Sequence, residues 1–259
     1  MTINKFIKKI FTPDLKSAPD ASATLIMENK GLCYCCDREV TFRAQNSWLR
    51  DHYICTNCGS IPRERALMYC LETYYPGWKT YSIHESSPAS RGASIKLRKN
   101  CKNYVASHYF PERPLGVSVK GFRNEDLENQ TFANETFDLV ITQDVMEHIF
   151  NPAKAFTEIA RTLKKGGAHV FTVPLVNKNS ASEKWAELTD DGTVRFLKSP
   201  DYHGNPIDEK GSPVAMHWGY DICDFIFQTS GLYTAMIVID NIDLGIRAEY
   251  IEVLISRKP

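Results

Sequence analysis

Strand-like and helix-like segments alternate along most of the chain, and this alternation constrains the fold more than any other feature. The run FDLVIT at 137–142 has the continuous apolar character of a strand that is covered on both faces. Further strands are predicted near Thr80–Ile83 and in the segments NYVAS and AHVFTVPL, with helical segments between them. Strands separated by helices predict an α/β fold with a doubly wound, mostly parallel sheet, whose ligands bind at the carboxyl ends of the strands.

The helix that follows 137–142 has the clearest boundaries in the sequence. Asn151 can cap its first turn, and Pro152 suits the first helical position. Apolar residues recur at helical spacing, namely Phe156, Ile159, Ala160 and Leu163. The segment KKGG at 164–167 complements the helix dipole with its lysines, and its glycines are predicted to end the helix.

Two further strands are predicted near the C-terminus, in the segments YTAMIVID and AEYIEVLISR. The connection between them is short and contains no helical pattern. Parallel strands need a longer crossover, so these two are predicted to pair in antiparallel fashion.

Two C-x2-C pairs lie near the N-terminus, Cys33 with Cys36 and Cys55 with Cys58, and 18 residues separate them. Each pair aims two thiolates at one point, and two pairs complete a tetrahedral sulfur site suited to Zn²⁺. Four thiolates leave no open coordination position, so the predicted zinc site is structural. Cys35 competes with its neighbours as a ligand, and four free cysteines are the alternative interpretation.

Composition narrows the classes of function. The chain has 259 residues, enough for one large α/β domain and a small accessory module. Its 31 Lys and Arg residues balance 31 Asp and Glu residues, so no global positive field gathers nucleic acid. No apolar run is long enough for a transmembrane segment. Eight cysteines without a recognisable secretory signal predict a reducing, cytoplasmic location.

The sequence predicts three parts. Residues 1–29 form an N-terminal helix and a polar linker, residues 30–62 form a zinc-knuckle module, and residues 63–259 form the α/β domain. Within that domain, the stretch YSIHESSPASRG at 81–92 occupies the place of a glycine-rich cofactor loop, yet it has one glycine. The loop by itself leaves open which cofactor it accepts, and an ordinary solvated loop is the alternative interpretation.

The segment 124–174 contains an acidic residue followed by leucine, an F-D-x-V strand, the motif V-x-E-H and a helix ending R-x-L-K-x-G-G. In these motifs, and in the order of the elements around them, the chain resembles the class I S-adenosylmethionine-dependent methyltransferases with a type 11-like core. The resemblance implies a seven-stranded, Rossmann-like sheet whose last strand is antiparallel. It also implies S-adenosylmethionine as the cofactor and methyl transfer as the reaction.

S-adenosylmethionine carries no phosphates, so its loop need not present the amide cradle that a pyrophosphate demands. By resemblance, Glu85 holds the cofactor's ammonium group, Asp126 receives the adenine amine, and Gln143 faces the methionine portion or the substrate. The full set of cofactor residues that the resemblance implies is Glu85, Ser86, Ser87, Asp126, Leu127, Gln143, Asp144, Val145 and His148. The family also has an acidic residue for the ribose after its second strand, where this chain has Ser107 and His108.

A long connection at about 175–220 is predicted to be a lid or a substrate-binding insert, because long connections in compact domains are usually functional. It combines aromatic residues, histidines and turn residues, including Tyr202, His203, Asn205, His217, Trp218 and Tyr220. His203 is the first candidate for a general base and His217 the second. A purely structural role is the alternative for each histidine.

A neutral net charge and this aromatic insert favour a small-molecule or glycan acceptor. The first alternative is an RNA methyltransferase in which the zinc module and Arg63, Arg65 and Arg91 bind phosphates. A second alternative is a catalytically degenerate methyltransferase fold that acts as a scaffold. The sequence leaves the oligomeric state open.

Overall fold

A computed structural model describes residues 25–205, 207–208 and 210–259. The predicted N-terminal helix and almost all of its linker lie outside these residues. The described residues form two compact units. The first unit comprises the described residues up to Tyr81, together with Pro88–Tyr104 and Val238–Ile251, and the second comprises Ser82–Ser87, Val105–Ile237 and Glu252–Pro259.

The first unit contains a small antiparallel sheet, three α-helices and the short 3-10 helices Trp78–Thr80 and Ile242–Leu244. Its elements are β1 (Met27–Cys33), β2 (Arg38–Ala44), α1 (Leu49–His52), β3 (Ile54–Cys55), α2 (Pro62–Tyr74) and α3 (Gly92–Asn100), and the strand order is β1-β2-β3. The β1–β2 hairpin pairs Met27 with Ala44 and Cys33 with Arg38. It begins inside the segment 1–29 that was predicted as helix and linker. Glu64 stabilises the start of α2, because its Oε2 accepts a hydrogen bond from the Ile61 N–H at 3.1 Å.

The second unit is built on an eight-stranded sheet and two helices. The elements up to the insert are β4 (Ser82–Ser86), β5 (Asn103–His108), β6 (Ser118–Val119), β7 (Phe122–Asn124), β8 (Phe137–Gln143), α4 (Pro152–Thr162) and β9 (Leu163–Thr172). The insert forms short hairpin strands, β10 (Glu183–Lys184), β11 (Ala186–Leu188), β12 (Val194–Phe196), β13 (Tyr202–His203), β14 (Ser212–Pro213) and β15 (Met216–His217). The last elements are α5 (Ile222–Ser230), β16 (Tyr233–Ile237) and β17 (Val253–Arg257).

The strand order of the large sheet is β16-β17-β9-β8-β4-β5-β7-β6. The pairs β4–β8, β8–β9 and β5–β7 are parallel, whereas β17 runs antiparallel to both β16 and β9. The predicted doubly wound, mostly parallel sheet with a C-terminal antiparallel pair is therefore confirmed. The two-residue strand β6 adds an eighth strand at one edge. From β4 the chain builds one half of the sheet and from β8 the other, so the β4–β8 boundary is the topological switch point.

Helix α4 and the sheet share one buried apolar cluster. The Asn151 side chain accepts a hydrogen bond from the Lys154 N–H, as predicted for the cap. Phe156 and Ile159 are fully buried, and they pack in the same cluster as Trp218 and Ile226. The amphipathic spacing of α4 thus places its apolar face in the core of the unit.

The prediction that KKGG at 164–167 ends this helix is wrong. Helix α4 ends at Thr162, and Leu163–Thr172 belongs to β9 as a whole. The tertiary reason is a close approach to β8. A Cβ atom on Gly167 would lie 2.8 Å from the Asp138 carbonyl oxygen, while Lys164 Nζ forms an ion pair with the Asp138 carboxylate at 2.9 Å. Gly167 thus allows the backbones of β8 and β9 to approach closely, and Lys164 forms its ion pair across these two strands.

The predicted boundary between strand and cofactor loop also differs from the structure. Strand β4 covers Ser82–Ser86 rather than Thr80–Ile83, so it extends into the stretch 81–92 that was predicted as loop. His84, Glu85 and Ser86 are therefore buried strand residues. Among the described residues, none of the helices combines the length and the apolar character that a membrane crossing requires.

Candidate functional site

Two polar side chains meet at the switch point of the large sheet. Glu85 lies near the end of β4 and Gln143 at the end of β8, and the two strands align Glu85 with Ile141. Gln143 Nε2 donates a hydrogen bond to Glu85 Oε1 at 2.9 Å, and the Glu85 side chain is fully buried. The crevice outside the carboxyl ends of such strands is where open α/β sheets bind their ligands. The structure thus brings together two residues that the resemblance assigned to the cofactor.

A left-handed backbone conformation follows each of these two strands. Ser87 has φ 55° and Asp144 has φ 52°, which is unusual for residues other than glycine. The Ser87 N–H donates to the Ser107 carbonyl at 2.8 Å, and the Asp144 N–H donates to the Thr172 carbonyl at 3.0 Å. Backbone strain of this kind clusters at ligand sites. Ser87 takes the conformation for which a glycine-rich loop would use glycine.

The predicted adenine residues Asp126 and Leu127 lie in a turn after β7. Asp126 Oδ1 accepts a hydrogen bond from the Glu128 N–H at 2.8 Å, so the Asp126 side chain stabilises this turn. Leu127 is 4% exposed and packs in the core cluster with Val140 and Met146. Asp126 is half-buried, so its carboxylate keeps access to a ligand, whereas the Leu127 side chain contributes mainly to the core.

The end of β5 carries no carboxylate for a ribose. Ser107 is buried and its hydroxyl lies 2.8 Å from His84 Nε2, while the His108 ring packs edge-on against Phe122 with centroids 4.3 Å apart. Burial lowers the pKa of His108 to about 4. Tyr109 follows directly and is half exposed. Partial burial, with Asp126 and other carboxylates nearby, raises the pKa of its hydroxyl, which is therefore a neutral donor at this edge. Tyr109 was not among the predicted site residues, although an aromatic hydroxyl directly after a strand was a usable signal.

A buried carboxylate and two histidines meet just beyond the end of β8. Glu147 and His148 belong to the one-turn 3-10 helix Met146–His148, and His203 reaches them from β13 of the insert. Glu147 Oε1 lies 3.7 Å from His148 Nε2 and 3.4 Å from His203 Nδ1. The adjacent Glu147 carboxylate raises the pKa of His203. Glu147 was not among the predicted site residues. Its position in the chain between the predicted site residues Val145 and His148 could have indicated it.

His217 lies apart from this group. Its ring stacks on Trp185 with centroids 3.8 Å apart, and its Nε2 is 3.3 Å from Asp201 Oδ2. Trp218 is fully buried and donates from Nε1 to the Met146 carbonyl at 3.2 Å. Val145 also packs against the core. Among the insert histidines, only His203 therefore joins the residues at the end of β8.

In the first unit, the four predicted metal ligands form a compact group. The sulfur atoms of Cys33, Cys36, Cys55 and Cys58 all lie within 4.8 Å of one another, and the cysteines are not joined by disulfides. The Cys33–Cys58 sulfur distance is 3.8 Å and the Cys36–Cys55 distance is 4.0 Å. A tetrahedral zinc site with Zn–S bonds of about 2.3 Å needs sulfur atoms about 3.8 Å apart. The donor set and its spacing therefore fit Zn²⁺.

The turns around this group have the shape of two zinc knuckles. The residue after each pair has a left-handed backbone, with φ 54° at Asp37 and φ 69° at Gly59. The Asp37 N–H donates to the Cys33 carbonyl at 2.8 Å, and the Gly59 N–H donates to the Cys55 carbonyl at 2.9 Å. Cys35 is buried outside the group of four, and burial raises the pKa of its thiol well above the usual range. Cys35 therefore lies apart from the four sulfur atoms that are placed to hold a metal ion.

A buried arginine lies beside the cysteine group. Arg65 is fully buried, and its guanidinium donates to the carbonyl oxygens of Ser60, Tyr53 and Gly245, all of which are neutral acceptors. The Ser60 hydroxyl lies 3.3 Å from Cys33 Sγ. A buried cation is stable only when negative charge lies close to it. Four thiolates around one Zn²⁺ carry a net charge of about −2 and would supply that charge.

The arginines that the RNA alternative needs are engaged within the first unit. Arg63 pairs with Asp51 at 2.7 Å, and Arg91 pairs with Glu64 at 3.0 Å. Arg65 is buried, as described above. Their charges are therefore already matched by internal partners, which weakens the case for phosphate contacts at these positions.

The middle of the chain, which contains most of the large sheet, is similar to a known protein family. Residues 93–171, from α3 to the end of β9, match the family model of a methyltransferase domain. The match covers about a third of the chain, and this part of the chain is similar to a methyltransferase domain. The sheet agrees with the fold that the resemblance implied, because its last strand, β17, runs antiparallel to its neighbours.

The proteins to which this chain is similar include one curated enzyme and several solved structures. The ubiquinone biosynthesis O-methyltransferase of Ruegeria sp. (strain TM1040) is 25% identical over 118 residues, which cover 38% of this chain and 47% of that protein. The chain thus spans about half the length of the curated relative that it matches. An S-adenosylmethionine-dependent methyltransferase from Mesorhizobium loti shares 13% identity with a TM-score of 0.49, over 75% of this chain and 98% of that one. Methyltransferases from Methanosarcina mazei share 14% identity with a TM-score of 0.41, over 71% and 96% of the respective chains.

Proposed function

We propose that this protein transfers a methyl group from S-adenosylmethionine to a small-molecule or glycan acceptor. The observation that carries the proposal is the buried Glu85 carboxylate, which lies at the switch point of the sheet and accepts a hydrogen bond from the Gln143 amide. A carboxylate in this position suits the ammonium group of the cofactor's methionine portion, because a charge-assisted hydrogen bond there is strong.

The residues around Glu85 fit the rest of the cofactor. Ser86 ends β4, and Ser87 follows it with a left-handed backbone, so small side chains at this strand end let a ligand approach the main chain closely. Asp144 and Val145 follow β8 on the neighbouring strand end. Asp126 would accept the adenine amine, and the Tyr109 hydroxyl is available to the ribose in place of the missing carboxylate. S-adenosylmethionine supplies the methyl group on a sulfonium, so the protein mainly aligns the acceptor, the methyl carbon and the sulfur.

The acceptor side of the site is assigned to the group formed by Glu147, His148 and His203. These residues follow β8 directly or reach its end from the insert, so they lie on the side where the methionine portion is expected. The sequence-based roles of His148 toward the cofactor and of His203 and His217 as bases remain predictions. The internal pairing of Arg63 and Arg91 favours a small-molecule or glycan acceptor over RNA.

Titration calorimetry tests the cofactor assignment. The wild-type protein is titrated with S-adenosylmethionine, S-adenosylhomocysteine and NAD, alongside Glu85→Ala and Asp126→Ala. Loss of a hydrogen bond to a charged group costs about 1.5–3 kcal/mol, so each variant should bind the first two ligands roughly 10- to 100-fold more weakly. Asp190→Ala, which removes an exposed carboxylate, is the matched control. Absence of binding by a folded wild-type protein would refute the proposal and favour the scaffold alternative.

We also propose that Cys33, Cys36, Cys55 and Cys58 hold one structural Zn²⁺ ion. The tetrahedral spacing of the sulfur atoms and the buried charge of Arg65 support this assignment. Metal analysis of the purified protein should find zinc that Cys36→Ser and Cys58→Ser remove together with the stability of the first unit. Cys223→Ser is the control, because Cys223 lies in the second unit. Zinc content that is unchanged in the Cys36→Ser variant would contradict the assignment.

A further inference from the structure

Glu147 is a buried carboxylate with unmet hydrogen-bonding capacity. Its side chain is 1% exposed, and neither carboxylate oxygen has a hydrogen-bond partner among the described residues. The nearest basic atoms, His203 Nδ1 and His148 Nε2, lie 3.4 and 3.7 Å from Oε1. Burying a carboxylate away from water, with no hydrogen-bond donor to replace the water, costs several kcal/mol of solvation free energy. A cation or a set of donors is therefore expected beside Glu147.

The tautomer of His148 defines what that cation can be. His148 Nδ1 lies 2.9 Å from the Pro213 carbonyl oxygen, which can only accept, so Nδ1 carries the hydrogen and donates it. In the neutral ring the lone pair is then on Nε2, which faces Glu147. Two acceptors therefore face each other across a gap of 3.7 Å. Metal-bound histidines commonly show this pattern, in which the ring nitrogen away from the ion donates to a carbonyl.

We propose that Glu147, His148 Nε2 and His203 Nδ1 bind one divalent transition-metal ion. Their ligand atoms lie within 4.8 Å of one another. Metal–nitrogen and metal–oxygen bonds of about 2.1 Å at tetrahedral angles place ligand atoms about 3.4 Å apart, close to the 3.4 and 3.7 Å observed. Two histidines and one carboxylate suit Zn²⁺, Fe²⁺ or Co²⁺, and three protein ligands leave at least one position open.

The role of this ion rests on the proposed function, whereas its binding does not. The open position would take an oxygen atom of the acceptor, which identifies the acceptor as a hydroxyl-bearing molecule. Coordination lowers the pKa of the hydroxyl, and its proton passes to water. The oxygen lone pair then forms a bond to the methyl carbon while the carbon–sulfur bond breaks. The bonding electrons go to sulfur, which leaves S-adenosylhomocysteine and the methyl ether.

Cobalt titration of the full chain tests the binding. The cysteine site is first filled with Zn²⁺, and Co²⁺ is then added while the visible and near-ultraviolet spectra are recorded. The proposal expects one equivalent of Co²⁺ with d–d bands of nitrogen and oxygen ligation and no sulfur-to-cobalt charge transfer. Glu147→Gln and His203→Asn should each weaken Co²⁺ binding at least tenfold, since even outer-shell changes cost about 10- to 100-fold. His52→Gln, at an exposed histidine of the first unit, is the matched control and should bind as the wild type does.

Three results would overturn the inference. The first is the absence of d–d bands from a folded wild-type protein at millimolar Co²⁺. The second is a spectrum dominated by sulfur-to-cobalt charge transfer, and the third is equal affinity for Co²⁺ in the wild type and both variants. His203 lies on a partly exposed hairpin, so His203→Asn keeps the test valid if Glu147→Gln fails to fold. Calorimetry with S-adenosylmethionine on the same preparations separates the two ideas. Cofactor binding without Co²⁺ binding would leave the proposed function standing and remove only the metal site.

Discussion

Two fully buried histidines in the large sheet should make this protein unusually sensitive to mild acid. His84 on β4 and His169 on β9 flank Val140 of β8, so they lie on the same face of the sheet. Burial lowers the pKa of each histidine to about 3. His84 Nε2 lies 2.8 Å from the Ser107 hydroxyl, and His169 Nε2 lies 3.0 Å from the Thr142 hydroxyl. Both rings are therefore held neutral in the folded state.

The groups that face these rings do not favour protonation. His84 lies against the rings of Phe132 and Phe137, and the charge of Arg123 lowers its pKa further. His169 stacks on Phe171 with centroids 4.1 Å apart, and its remaining electrostatic neighbour is His84 itself. With no carboxylate among these contacts, an added proton has nothing to stabilise it.

The size and sign of the effect follow from linkage. The pKa of each histidine is lower in the folded state than the value of about 6.5 in the unfolded state. The contribution of each neutral histidine to the stability of the folded state is therefore fully present above pH 6.5 and is lost as the pH falls toward 3. Each histidine changes the free energy of unfolding by about 1.4 kcal/mol per pH unit in that window. The pair should therefore remove about 4 kcal/mol between about pH 7.5 and about pH 5, a large share of a typical 5–15 kcal/mol.

Urea unfolding across this pH range measures the effect. The wild type is compared with the double variant His84→Gln/His169→Gln, whose amides do not titrate, and His52→Gln is the matched control for the substitution. The double variant should lose about 2.7 kcal/mol less per pH unit than the wild type between about pH 6 and about pH 4. Acid would also release a metal ion from the proposed cysteine site, but it would do so in both proteins, so the difference between the slopes isolates the histidines. Equal slopes would refute the reasoning.

Three further outcomes are expected from substitutions in the two units. Ser87→Gly should raise the free energy of unfolding by about 0.5–1 kcal/mol and leave S-adenosylmethionine binding in place, because the left-handed backbone costs serine about 1–2 kcal/mol and the greater unfolded-state entropy of glycine offsets part of the gain. Urea unfolding measures this, with Ser87→Ala as the control. A loss of stability in Ser87→Gly would contradict the prediction. Arg65→Met should make the zinc-loaded protein about 3–5 kcal/mol less stable, and it should reduce the stability of the chelator-treated protein by less. The reason is that the cysteine group carries its full negative charge only when it binds the metal. An equal loss of stability in both forms would count against the zinc assignment. Gly31→Ala should destabilise the first unit by about 1–3 kcal/mol or more, since the new Cβ would lie 1.9 Å from the Asp243 carbonyl oxygen. Thermal unfolding checks this, with Gly204→Ala as the comparison, because a Cβ at Gly204 would meet nothing within 4 Å.

Features that depend on near neighbours in the chain could be predicted from the sequence. The two C-x2-C pairs, the Asn151 cap with Pro152, and the alternation that gives a mostly parallel sheet all follow from spacing within a turn or a strand. Backbone geometry limits what such short segments can form, so a local pattern is enough to identify them. The family resemblance then followed from the same stretch of chain.

Features that depend on which distant segments pair were decided only by the tertiary structure. Glu85 meets Gln143 because β4 and β8 align, although 58 positions separate them in the chain. Glu147 meets His203 because a hairpin of the insert returns to the end of β8. The KKGG segment became part of β9 because pairing with β8 outweighs a local preference for a helix end. Such pairings minimise the free energy of the whole sheet, and no short window of sequence contains the partner that makes them favourable.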